Sequence, residues 1–99
     1  MIARELYQAA LEMWGLEAQL GMLQEECAEV VVAVNKYRRG CPSVDLADSL
    51  AQELADVEIM VEQMRAAGFA LPIDQHKRAK LERLQKRVDA ELHLRGGGA

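Results

Sequence analysis

A chain of 99 residues with 51% hydrophobic side chains holds the apolar material of one small domain, which excludes a multidomain machine. With one Trp, two Tyr and one Phe, the core must come from aliphatic and Met side chains, and a chain this short buries only about 60–65% of its unfolded surface, so self-association is expected. A net charge of −4 argues against a duplex nucleic-acid binder that works by neutralising phosphates and favours a small-molecule or protein partner.

The first segment, Ile2 to Met13, repeats apolar residues at Ile2, Leu6, Ala9, Ala10 and Met13, and Gly15 interrupts it. From Leu16 to Arg39 the residues Leu20, Leu23, Cys27, Val30 and Val34 recur at helical spacing, and Arg38 and Arg39 suit a helix C-terminus. Gly40 and Pro42 mark a break, after which Ser43 can cap a helix with Asp45 and Asp48 in its first turn and a stripe of Leu46, Leu50, Val57, Met60, Val61 and Met64. Gly68 and Pro72 mark the second break. A last pattern, Ile73, Leu81, Leu84, Val88 and Leu92, is interleaved with lysines and arginines, and 95–99 reads as a disordered tail. No stretch alternates like a strand. The expectation is an all-α fold of about four helices in a single domain over 1–94, with the two long helices antiparallel in an oligomeric helical bundle. The longest apolar run, Val30 to Val34, is far short of a membrane span, and the N-terminus lacks a secretory pattern. With Cys27 and Cys41 too few for a disulfide framework, a cytoplasmic protein with reduced thiols and no membrane partner is expected.

The acids do not fit an ordinary core. At about 100° per residue, Glu53 falls within roughly 40° of Leu46, Val57 and Met64, inside the apolar stripe. Burying an unpaired carboxylate is costly, so something must compensate it. Asp56 stands one turn on, and Glu26 with Glu29 repeats the i, i+3 arrangement on the preceding helix, whereas Glu25 points to the solvated side. On antiparallel helices these four carboxylates converge near the midpoints and require cations. A donor set of carboxylate oxygen without imidazole or thiolate is that of Mg²⁺, for which Mn²⁺ can substitute. A di-iron bundle needs Glu-x-x-His on two helices, and neither His76 nor His93 has a Glu three residues before it.

The residues Glu25-Glu26-Cys27-Ala28-Glu29, followed by Glu53-Leu54-Ala55-Asp56, resemble the Glu-Glu-x-x-Glu and Glu-x-x-Asp signature of the MazG-like all-alpha nucleoside triphosphate pyrophosphohydrolases, over a span from about Trp14 to Met64. The resemblance implies that Glu26, Glu29, Glu53 and Asp56 are catalytic ligands of Mg²⁺. It also implies that an NTP or dNTP is converted to the NMP and pyrophosphate, as nucleotide-pool housecleaning, by a homodimer or homotetramer. Candidate substrate contacts are Lys36, two turns beyond Glu29, the basic series Lys77, Lys80 and Arg83, and Trp14, whose indole could stack on a nucleobase and whose position resembles that of pocket aromatics in the family. The competing reading is a catalytically silent helical dimerisation or adaptor module, which would gain nothing from an acid at Glu53.

Overall fold

The computed structural model describes residues 1–40 and 43–96. Among these there is no strand, and the fold is all-helical. Contacts divide the chain into two compact units, Met1–Gly68 and Phe69–Ala99. Cys41, Pro42 and residues 97–99, hence the Pro42 half of the first break and most of the expected tail, lie outside the described residues.

In the first unit α1 spans Ala3–Trp14 and stops at Gly15, whose φ of 85° is open to glycine and whose N–H donates to Leu11 O at 2.9 Å. Helix α2, Leu16–Arg39, starts directly afterwards and ends with Lys36, Arg38 and Arg39 in its last turn, where cations meet the negative end of the helix dipole. Helix α3, Val44–Met64, is capped as its sequence predicts, with Ser43 Oγ accepting the Leu46 N–H at 3.1 Å. A Cβ at position 40 would lie 2.7 Å from Leu46 Cδ1, the end of a side chain that can turn away, so Gly40 brings the end of α2 close to the start of α3. The Tyr7 hydroxyl donates to the Glu62 carboxylate and ties α1 to α3. That bond, then withdrawal from solvent and the Glu62 charge, raises the pKa of the phenol.

Helices α2 and α3 are antiparallel. Gly40 adjoins Leu46, Lys36 shares a cavity with Ser49, Glu26 meets Asp56, and Gln19 shares a second cavity with Gln63. The α3 stripe lies inward as expected, with Met60 and Met64 buried and Leu46, Leu50, Val57 and Val61 half-buried. On α2 the expectation needs correction. Its buried residues are Gln19 and Ala33, with Glu26 half-buried between them, while Cys27 is exposed and Leu20, Leu23, Val30 and Val34 are only half-buried. These three seam residues follow each other at i, i+7, i+14, so the face turned to α3 is rotated by roughly 60–80° from the Leu/Val stripe. Among the described residues no side chain is fully buried, and only Ala33, Met60 and Met64 form the apolar core.

At the second break α3 runs to Met64, the chain kinks within Arg65–Phe69 at Gly68, whose φ of 112° and ψ of 2° are not helical, and α4, Ala70–Leu94, follows. Pro72 lies in the first turn of α4, where its missing N–H would have no intrahelical acceptor. In this second unit Leu81, Leu84, Val88 and Leu92 are each about half exposed, and Arg95 closes the helix, with its Nε 2.9 Å from Glu91 Oε1. No helix among the described residues is long and apolar enough to cross a membrane.

Candidate metal centre and its flanking pockets

The i, i+3 spacing on α3 and the polar seam on α2 bring carboxylates together at the middle of the helix pair. Glu26, Glu53 and Asp56 each offer an oxygen within 4.8 Å of the others, with the two glutamates half-buried and Asp56 exposed. Glu29 is exposed and stands outside that trio, near enough to Glu53 to act on its carboxyl group. Glu25 is exposed, as its helical phase predicts.

Hydrogen bonding to Glu29, then withdrawal from solvent and the charges of Glu29 and Asp56, hold Glu53 above the usual carboxylate range. Glu26 is raised as well, first by withdrawal from solvent and then by the charges of Asp56 and Glu29 and a hydrogen bond with Asp56. One oxygen of each glutamate, Glu26 Oε2 and Glu53 Oε2, is cut off from solvent and accepts no hydrogen bond. An acidic group that repels itself and holds two unpartnered oxygens has the donor chemistry of a hard divalent cation such as Mg²⁺ or Mn²⁺.

Two pockets flank the carboxylates along the same helix pair. Toward the α2 C-terminus a cavity of about 420 Å³ is lined by Glu29, Ala33, Lys36, Leu46, Ser49 and Glu53, among others. Lys36 is the cation of that lining and Glu29 and Glu53 its acids, so ammonium and carboxylates face one space. Toward the α2 N-terminus a cavity of about 530 Å³ is lined by Trp14, Ala18, Gln19, Met22, Met60 and Gln63. Trp14 is 62% exposed at the end of α1 and also borders a neighbouring apolar cavity of about 540 Å³ with Leu6, Met13 and Ile59. Lys77, Lys80 and Arg83 are exposed on α4, in the second unit.

The sequence reading missed Gln19 and Gln63, which are 5% and 8% exposed. Gln19 is seven residues before Glu26 and Gln63 is seven after Asp56, so each shares the helix face of that acid, but this spacing alone does not single out an uncharged side chain. Comparison with protein-family models, with curated proteins and with solved structures returns no match for the chain.

Proposed function

We propose that this chain is a divalent-metal-dependent nucleoside triphosphate pyrophosphohydrolase, similar to the MazG-like all-alpha enzymes, that converts an NTP or dNTP to the NMP and pyrophosphate. The observation that supports it most is the group formed by Glu26, Glu53 and Asp56 on facing helices, with orphaned oxygens on both glutamates. A folding role does not explain those acids, because like charges in a half-buried seam oppose folding.

Bound at these three residues, Mg²⁺ would supply Lewis acidity and neutralise charge on the phosphates. The residues themselves account for the rest. Water oxygen bonds to the α-phosphorus as the bridging oxygen between the α- and β-phosphorus atoms departs with its electron pair on pyrophosphate. Glu29, exposed beside the metal-binding trio, takes the proton of the attacking water. Lys36, in the cavity next to the acids, meets the departing phosphates, and Trp14 offers a stacking face for the base.

We also propose a homodimer or homotetramer. The half-buried Leu/Val stripe of α2 and the exposed Met1, Ile2, Leu6 and Met13 of α1 leave more apolar surface than so small a core balances. A silent dimerisation module would share those surfaces, and the carboxylates distinguish the two. The test is a panel of ribo- and deoxynucleoside triphosphates assayed for pyrophosphate release with Mg²⁺ and with EDTA. Metal-dependent release supports the enzyme, and its absence across the panel, with the fold intact, supports the adaptor.

A further inference from the structure

The cavity beside Trp14 holds more polar capacity than a packing defect would. Its lining is apolar at Trp14, Ala18, Met22 and Met60 but includes two glutamine carboxamides that are more than nine-tenths buried. Gln63 Oε1 is cut off from solvent and accepts no hydrogen bond. The Gln63 amide nitrogen has a sulfur acceptor, Met60 Sδ at 3.8 Å, which is a weak partner. A buried carboxamide left in this state is costly unless something completes it, and turning it sacrifices only that weak contact.

A small apolar pocket with an indole at its rim and carboxamides in its wall has the chemistry that recognises a planar heterocycle. The indole supplies a stacking face, and a carboxamide carries a donor and an acceptor side by side, which pairs in bidentate fashion with the edge of a base. Its position fits as well. Gln63 is two helical turns, about 10 Å along the axis, beyond Asp56, and Gln19 stands the same distance from Glu26 on α2, a separation of the order that a ribose 5′-phosphate bridges.

We propose that Gln63, seconded by Gln19, reads the hydrogen-bonding edge of a nucleobase held against Trp14, and so determines which base the chain selects. The attachment of that base to phosphates at the carboxylates rests on the hydrolase reading above; the pocket's affinity for the base does not.

The test uses the single Trp as its reporter. The full chain, at fixed concentration in EDTA, is titrated with the four common nucleoside 5′-monophosphates and with ribose 5-phosphate, and the quenching of Trp14 fluorescence is followed. The proposal expects saturable quenching by monophosphates in a definite order of affinity and none by ribose 5-phosphate. In Gln63→Leu the preferred base should lose about tenfold in affinity and the order among bases should flatten. Gln63→Leu removes an unmet polar group and should fold, and Gln19→Leu gives a second variant at the same wall, with the smaller loss. No saturable quenching by any monophosphate, equal quenching by ribose 5-phosphate, or wild-type affinity and order in both variants would overturn the proposal. Because the titration needs neither metal nor turnover, binding without hydrolysis would overturn the hydrolase reading and leave the pocket standing. Hydrolysis without base-dependent quenching would do the reverse.

Discussion

Glu53 is where the demands of folding and chemistry oppose each other. It stands on the same stripe as Leu46, Val57 and Met64, yet its neighbours across the seam are acids, and its Oε2 accepts nothing. Replacing it with Leu should raise the denaturant midpoint of the metal-free protein in EDTA and abolish pyrophosphate release in Mg²⁺. Glu25→Gln, on the exposed side of α2, should change stability by no more than about 0.5 kcal/mol and retain most activity. A Glu53→Leu protein that unfolds in EDTA would mean that Glu53 supports the fold instead. The same residues set a pH dependence. Glu26 and Glu53 titrate above the usual carboxylate range in the folded chain, so between the unfolded and folded values the native state holds more protons. Their favourable contribution is complete below the unfolded value and is lost as pH rises through the raised one. Thermal melts in EDTA should therefore show wild-type stability declining across that window relative to Glu53→Leu, and saturating Mg²⁺ should remove the difference in slope. Parallel slopes in EDTA would contradict the coupling.

At the scale of the elements, three glycines and a serine carry the punctuation, and the sequence made most of it legible. Ser43 is the one side-chain cap described, and Ser43→Ala should cost about 1 kcal/mol in urea unfolding. Two further substitutions of one chemistry should have opposite signs. Gly68→Ala forces an L residue to a φ of 112° with no neighbour within 4 Å of the new Cβ, so its cost of about 1–3 kcal/mol is backbone strain alone. Gly21→Ala, inside α2 and equally free of contacts, should stabilise by about 0.5–1 kcal/mol. Gly15 and Ser43 were legible because a left-handed φ and a cap are local demands. The rotation of α2 was not, because hydrophobic periodicity locates an apolar face without saying which partner covers it, and here the face turned to α3 is the Gln19, Glu26 and Ala33 seam. The break at Gly68 was legible because a positive-φ glycine closely followed by a proline marks a helix boundary, and Pro72 falls in the first turn of α4, where its missing N–H is tolerated. The acids were legible from their spacing, but Gln19 and Gln63 were not, since a glutamine on a helix carries no charge conflict to flag it.

For the whole molecule, the described residues bury little core, and the first unit sets its polar groups along one helix pair, with the cavity of Lys36 on one side of the carboxylates and the cavity of Trp14 and the glutamines on the other. Divalent ions should stabilise such a chain by mass action, by about 2.7 kcal/mol at a hundred times the dissociation constant, while sodium at matched ionic strength should not. The melting temperature in Mg²⁺, Mn²⁺ and NaCl checks this, and a response to ionic strength alone would count against a metal centre. The most direct test of the central claim is the fate of the triphosphate itself. The full chain with Mg²⁺ is incubated with the triphosphate panel in heavy-oxygen water, and products are identified by mass spectrometry. The expected products are intact unlabelled pyrophosphate and a nucleoside monophosphate carrying the heavy oxygen, both lost in EDTA and in Glu53→Leu. Orthophosphate with a nucleoside diphosphate as primary products, or no turnover of any triphosphate by the folded chain, would contradict that claim.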